Sequence, residues 1–260
     1  MELGLIGWPV AHSRSPEFFR PRLEALPEGG SYRLFPIENI SGLPDFLALH
    51  PELDGFNVTV PHKESILPYL DEINDTARAI GAVNTVRIIH GEKGKWGDLR
   101  LEGFNTDGPA FLMSLLNFGP VPMKHAMVLG TGGAARAVAW AYKELELVPV
   151  VVTRNSGRIG EIAAAFPECE IITYSEITED LMRDIWIVAN ATPAGMHPKV
   201  RDIPPFPMPM VTPRHICYDL VYNPPLTRFL TEAAGRGASV KNGLEMLWLQ
   251  ADLAWDIWTS

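Results

Sequence analysis

Apolar residues gather in short dense runs along this chain, and between the runs they recur at the three- and four-residue spacing of a helix face. The runs at 3–7, 32–36, 55–59 and 85–89 predict strands in the first part of the chain. Those at 126–129, 148–153, 171–173, 185–189 and 215–220 predict strands in the second. Helical spacing predicts helices over 16–26, 110–116, 134–145 and 227–236. Strands that alternate with helices argue for an α/β fold with parallel sheets, because a parallel pair needs a crossover long enough to hold a helix. The sequence has no internal repeat and no low-complexity tract.

Local signals refine this outline. Ser15 followed by Pro16 reads as an N-cap and a first helical residue. Pro21, further along the same helix, predicts a kink or a restart. The glycine-rich stretch 91–103 reads as a turn between two strands, and 117–123 as a helix stop, a Pro-flanked link and a fresh strand. A division near Asn105 gives two α/β domains, the first over 1–105 and the second over 106–242. Leu247, Trp248, Ala251, Ala254, Trp255 and Trp258 then fall at helical spacing, in a helix over 243–258 long enough to return to the first domain. Its tryptophans read as core packing.

Composition narrows the class. The 260 residues suit one large domain or two of ordinary size, and a content of 47% hydrophobic and 20% charged residues supplies ample core. No apolar run reaches the roughly eighteen residues of a membrane span, and the amino terminus reads as a strand and not as an export signal. Cys169 and Cys217 have apolar neighbours and read as two buried, reduced thiols of a cytoplasmic protein. No His/Cys cluster has metal-ligand spacing, so no metal is expected. The net charge is −9 and no dense Lys/Arg run occurs, which speaks against a nucleic-acid partner. An anionic small ligand stays admissible, because a few cations focused in a cleft decide that, not the total. Monomer and homodimer both fit.

Candidate chemistry changes the picture most. Val128-Leu129-Gly130-Thr131-Gly132-Gly133-Ala134-Ala135 is a strand end, a tight glycine turn and a helix start, and it fits G-x-G-x-x-A. The first glycine permits the turn, the second lets backbone N–H groups approach a pyrophosphate, and Ala135 lets the helix pack close. The bland alternative is an ordinary tight strand-to-helix turn. After the next strand come Thr153, Arg154, Asn155 and Arg158, where an NAD-binding domain usually places an acid for the ribose 2′-hydroxyl. A guanidinium there matches a 2′-phosphate through paired, charge-assisted hydrogen bonds, which favours NADP. In the first domain, Asn57-Val58-Thr59-Val60-Pro61-His62-Lys63 sets one lysine just past the carboxyl end of a strand, where α/β folds open their clefts. Taken alone, Lys63 is more simply a solvated surface group.

Several segments together resemble the shikimate dehydrogenase family. They are Gly7-Trp8-Pro9-Val10-Ala11-His12-Ser13-Arg14-Ser15-Pro16, the segment ending at Lys63, Gly81-Ala82-Val83-Asn84-Thr85, and Asn105-Thr106-Asp107. The Gly130 turn follows, then Asn190-Ala191-Thr192-Pro193-Ala194-Gly195-Met196, Asp219-Leu220-Val221-Tyr222-Asn223-Pro224, and 243–250. They come in the family's order and extend from residue 4 to residue 258. The resemblance implies an N-terminal substrate domain and a Rossmann-type NADP domain. It also implies reduction of 3-dehydroshikimate to shikimate with NADPH, a step of aromatic amino-acid synthesis on the chorismate pathway.

By matching positions, Lys63 and Asp107 resemble the family's catalytic pair. Ser13 and Ser15 match the hydroxyls that hold the substrate carboxylate, and Thr59, Asn84, Tyr222 and Gln250 match further substrate contacts. Gly130, Thr131, Gly132, Gly133, Ala134, Thr153, Arg154, Asn155, Arg158, Thr192, Leu220 and Gly243 fall on the cofactor side, with Asp75 at a position near the cofactor. The chain departs from the family where His-Asn is frequent and it has Phe19-Arg20, where Asn-Arg-Thr becomes Thr153-Arg154-Asn155, and where Ala110 replaces a usual glycine.

The residues themselves suit an anionic cyclic polyol acid, whose ring hydroxyls and carboxylate call for short hydroxyls, amides and one cation. Two roles stay open for Lys63, proton donor or electrostatic anchor for the carbonyl oxygen. Asp107 can hold Lys63 or simply cap a helix, and Ser13, Ser15, Asn57 and Asn84 can simply satisfy turns and loops. The alternatives are a quinate or aminoshikimate dehydrogenase of the same family and a non-catalytic NADP-binding regulator.

Overall fold

The computed structural model of the protein describes residues 1–119 and 125–260. It divides into two compact units, Met1–Thr106 with Trp248–Ser260, and Asp107–Leu247.

The first unit opens with β1 (Glu2–Gly7), α1 (Ser15–Glu24), β2 (Ser31–Pro36), α2 (Leu43–Leu49) and β3 (Gly55–Val58). It continues with β4 (Glu72–Ile73), α3 (Asp75–Ile80), β5 (Thr85–Gly94) and β6 (Gly97–Phe104). Its sheet has the order β2-β1-β3-β5-β6-β4. β1 pairs parallel with both β2 and β3, while β3–β5 and β5–β6 are antiparallel. Side chains alternate across the sheet as the pleat requires. Leu3 and Leu5 of β1 face a core shared with Phe19 and Leu23 of α1, and Ile6 faces the opposite core with Phe46, Phe56 and Val58.

The second unit contains α4 (Asp107–Phe118), β7 (His125–Leu129), α5 (Gly133–Glu144), β8 (Val148–Thr153), α6 (Ile159–Ala165) and β9 (Glu170–Thr173). Next are α7 (Glu179–Asp184), β10 (Ile185–Asn190), β11 (Ile216–Asp219), α8 (Arg228–Ala234) and β12 (Ser239–Asn242). Its sheet runs β12-β11-β10-β7-β8-β9 and every pairing is parallel. The strand order therefore reverses between β7 and β10, and the carboxyl ends of those strands form a topological switch point of the Rossmann kind. The last helix, α9 (Leu244–Thr259), begins in the second unit and ends in the first. Ala251, Ala254 and Trp258 of α9 join the α1 face of the first sheet, and the Trp258 indole N–H donates to the Val86 carbonyl at 2.9 Å.

Several expectations need correction. Ser15 is the first helical residue and not the N-cap; Arg14 holds the cap position without a side-chain bond. Helix α1 runs unbroken through Pro21, which is exposed, so the carbonyl it leaves unpaired on that side can be met by water. The stretch 91–103 is mostly strand: β5 extends to Gly94 and β6 starts at Gly97. Its glycines masked the alternation of Leu99 and Leu101 with Arg100 and Glu102. The link expected over 117–123 falls partly outside the described residues, between the end of α4 and His125. Cys169 is half-exposed, while Cys217 is buried. Helices α2, α3, α6 and α7, of six or seven residues each, went unread.

Candidate functional site

In the first unit the candidate substrate residues sit at the carboxyl ends of β1 and β3 and beside β5. Chain direction puts Ser13 and Ser15 between β1 and α1. The Ser15 N–H donates to Ser13 Oγ at 3.2 Å and the Ser13 hydroxyl donates to Ser15 Oγ at 3.1 Å, so the two hydroxyls form one pair. Thr59 follows β3 directly. Its N–H donates to the Ile6 carbonyl and its own carbonyl accepts from His62 N–H, both at 2.9 Å. That turn delivers Lys63, whose carbonyl accepts from Val83 N–H at 2.8 Å. Lys63 is thereby pinned by its backbone next to Asn84, the residue after Val83.

Asn84 is buried and ties the unit's last residues to this place. Its Nδ2 donates to Thr106 Oγ1 and its Oδ1 accepts from Thr106 N–H, both at 2.8 Å. Asp107, the next residue, is buried and opens α4, where the helix dipole favours a carboxylate. Gln250 is half-exposed on α9. Asp75 is exposed at the start of α3, in the first unit, whereas the other expected cofactor positions lie in the second.

In the second unit the expected cofactor residues line the carboxyl ends of the strands. Gly130 follows β7 with φ +116°, a conformation that a side chain resists, and its N–H donates to the Val152 carbonyl at 3.0 Å. A Cβ there would come within 3.2 Å of Thr192 Cγ2, so the loops after β7 and β10 meet at the switch point. Thr131 follows in the same turn. Gly132 holds the N-cap position of α5 and has open space where a Cβ would stand, and Gly133 and Ala134 form the first turn of that helix. The backbone here can cradle phosphate oxygens against the helix amino terminus.

Beyond β8, the buried Thr153 accepts from Asn155 N–H at 3.1 Å. Arg154 is exposed; burial pushes the nearby Tyr174 phenol up to about 12, opposed by the Arg154 charge. Arg158 is exposed too, but its guanidinium is engaged by Glu161 at 2.7 Å. Leu220 and Gly243 are in contact: a Cβ on Gly243 would collide with the Leu220 carbonyl, so only glycine allows that approach. Tyr222 is half-exposed two residues further along the same loop as Leu220.

Sequence reasoning missed the residues that fasten these loops. Asn190 Oδ1 accepts from Thr192 N–H at 3.0 Å and from the Thr192 hydroxyl at 2.6 Å. Asn190 Nδ2 donates to Asp219 Oδ1 at 3.0 Å, which also accepts from Val221 N–H at 3.0 Å. The Thr227 hydroxyl, at the head of α8, donates to Asp219 Oδ2 at 2.5 Å. Asp219 is fully buried, and burial pushes its carboxyl up to about 6, against the pull of those donors. Tyr32 and Thr106 were missed in the first unit, because a tyrosine within an apolar strand and a threonine in a connection carry no signal of their own. Among the described residues no group of three or more His, Cys, Asp or Glu side chains could hold a metal ion.

The Shikimate dehydrogenase substrate binding domain family matches residues 5–86. Over 98% of the chain, the sequence is 38% identical to Shikimate dehydrogenase (NADP(+)) of Desulforamulus reducens, covering 89% of that protein. The chain belongs to the shikimate dehydrogenase family. Solved structures of family members agree in fold with this one. Shikimate dehydrogenase from Aquifex aeolicus superposes with a TM-score of 0.85 at 33% identity, covering 99% of this chain and 92% of that one. Shikimate 5-dehydrogenase from Thermus thermophilus, in complex with NADP(H) and shikimate, gives 0.82 at 37% identity, covering 100% and 93%. Both bear out the expected α/β architecture. At one departure from the family's frequent residues, Phe19 is fully buried and its ring stacks on Tyr32 with centroids 4.6 Å apart.

Proposed function

We propose that this protein is an NADP-dependent shikimate dehydrogenase that reduces 3-dehydroshikimate to shikimate, a step of aromatic amino-acid synthesis on the chorismate pathway. The observation that carries the reading is the likeness, at 37% identity over the whole chain, to a Thermus thermophilus relative solved with both NADP(H) and shikimate. In this reading the first unit, with the end of α9, is the substrate domain and the second is the NADP domain. The enzyme is cytoplasmic, and a monomer or a homodimer. Among the described residues no helix is long and apolar enough to cross a membrane.

The residues fit the cofactor. Gly130 at positive φ, the open space at Gly132 and the start of α5 supply a pyrophosphate cradle, and the exposed Arg154 is available to a 2′-phosphate. When bound, NADPH supplies the hydride that reduces the ketone carbon. The chain's own part is electrostatic and positional. Ser13 and Ser15 donate hydroxyl hydrogens to the substrate carboxylate, while Thr59, Asn84, Tyr222 and Gln250 bind its ring hydroxyls. Lys63 stabilises the negative charge that develops on the carbonyl oxygen and supplies, or relays from solvent, the proton that oxygen takes up. Asp107 orients Lys63 and one ring hydroxyl.

The test is an absorbance assay at the reduced-nicotinamide band, with shikimate and quinate each offered alongside NADP and NAD. Turnover of shikimate with NADP is expected to exceed the other combinations. Faster turnover of quinate would move the reading to that substrate. NADP binding with no turnover of either acid would replace it with a non-catalytic regulator.

A further inference from the structure

Among residues 59–63, which carry the chain from β3 to Lys63, only His62 is buried, and it has no part in the chemistry above. It is 2% exposed, and its Nε2 lies 2.6 Å from the Ile37 carbonyl. A carbonyl can only accept, so Nε2 carries the hydrogen and donates it. Ile37 directly follows β2, and its own N–H donates to the Gly7 carbonyl, at the end of β1, at 3.0 Å. The oxygen that receives His62 therefore belongs to a residue already fixed to a neighbouring strand.

The chain leaves the sheet after β3 and presents Lys63 from a turn, so the turn has to be held from its sides. Toward β1, Thr59 N–H reaches the Ile6 carbonyl and Trp8 N–H donates to the Val60 carbonyl, both at 2.9 Å. Toward β5, Val83 N–H holds the Lys63 carbonyl at 2.8 Å. The His62 ring supplies the tie toward β2, a strand that carries none of the candidate substrate residues. There His62 borders an open pocket of about 560 Å³ with Glu38, Asn39, Ile40, Pro61 and Ser65, so packing contributes little on that side. A phenylalanine would fill the space of the ring. A buried imidazole is costly unless its donor is satisfied, and here the donor is spent on the one bond that reaches across to β2.

We propose that His62 is a positioning residue for the reduction: its bond to Ile37 braces the turn from the side of β2 and sets where the Lys63 amine stands as charge develops on the carbonyl oxygen. The inference rests on the proposed function and deepens it. His62 acts through Lys63 and meets neither substrate nor cofactor. A shift of about 1 Å at a catalytic group can cost about 10²-fold in rate, so a slackened turn is felt in the chemical step. Ser13 and Ser15 keep their hold on the substrate carboxylate, so the loss falls on turnover and not on affinity.

The test uses His62→Phe, which keeps a ring and removes the donor, and His62→Gln, whose amide can reach the Ile37 carbonyl again. Both are assayed with shikimate and NADP, alone and together with Lys63→Ala. In His62→Phe the kcat is expected to fall about ten- to thirty-fold, with the KM for shikimate and for NADP each within about three-fold. His62→Gln is expected to regain most of that loss. In the Lys63→Ala background His62→Phe should cost less than about two-fold, because the group it positions is gone. An unchanged kcat in His62→Phe overturns the inference. A loss carried by either KM, a glutamine no better than phenylalanine, or an undiminished loss in the Lys63→Ala background also overturns it. Should His62→Phe fail to fold, His62→Asn, too short to reach Ile37, takes its place with the same expectations. Failure of both to fold overturns the inference, since the bond would then serve the fold as a whole. A wild type without turnover sinks the proposed function and this inference together, whereas an active wild type with unaffected variants sinks only this one.

Discussion

The two units hold their candidate residues by different means. In the first, a mixed sheet presents hydroxyl and amide side chains in hydrogen-bonded groups, Ser13 with Ser15 and Asn84 with Thr106, so the identity of each side chain matters. In the second, a parallel sheet offers backbone N–H groups and empty space at a switch point, so what matters is where glycine stands. Its side chains mostly fasten loops, as Asn190 and Asp219 do for Thr192 and Val221. The difference follows what each unit would recognise. A cyclic acid with several hydroxyls demands many small polar partners at set spacings, while a pyrophosphate is met by main chain and a helix amino terminus.

Substitutions can break or sharpen this contrast. The largest effect is expected at Lys63: Lys63→Ala should lower turnover about 10²–10⁴-fold, the scale of a lost acid–base group, without a change in melting temperature. Undiminished turnover would remove Lys63 from the chemistry. Arg154→Ala comes next. It should weaken NADP about ten- to a hundred-fold, the scale of charge-assisted hydrogen bonds, and leave NAD nearly unchanged. Equal losses for both dinucleotides in a binding titration would mean that Arg154 does not read the 2′-phosphate.

A third effect concerns stability. Asp219 titrates at about 6 in the folded protein against an ordinary value of 3.8, so between those values the folded state binds more protons than the unfolded one. Its contribution is therefore best at the acid end and declines as pH rises from about 4 to about 6. Asp219→Asn removes that decline, and the stability difference between the two proteins should shift by on the order of 1–2 kcal/mol across the window. Denaturant titrations with a constant difference would dismiss it. The smallest change is expected from Arg158→Ala. Glu161 already occupies this exposed arginine, so NADP affinity should fall no more than about three-fold and stability should barely move. A loss as large as that of Arg154→Ala would make both arginines equal partners of the phosphate.

The sequence made the long elements and the cofactor turn legible, because both are local. Strands such as β8 and β10 are continuous apolar runs, and Gly130, Gly132 and Ala135 fit a pattern tied to one backbone shape. The substrate residues were legible as matched positions, but what fastens them was not. Asn57 looked like a residue that only satisfies a loop, and Tyr32 like ordinary core, because their hydrogen bond crosses 25 residues and exists only once β2 and β3 share a sheet. Pro21 misled for the opposite reason: a local rule predicted a kink or a restart, yet α1 does not restart there, and Phe19 and Leu23 on either side of Pro21 pack on the sheet. Glycines misled at 91–103, where antiparallel pairing between β5 and β6 makes strand of most residues that look like a turn.

Helix α9 has a consequence for how the protein is made. Trp258 seals the α1 side of the first sheet, yet the ribosome adds it long after every strand of that sheet has emerged. The nascent amino-terminal half must wait with Leu3, Leu5 and Phe19 incompletely covered, while the intervening segment has all the residues it needs to close on itself. During translation the inserted half should therefore mature first and the leading half last, leaving a greasy, unsealed surface for chaperones to guard.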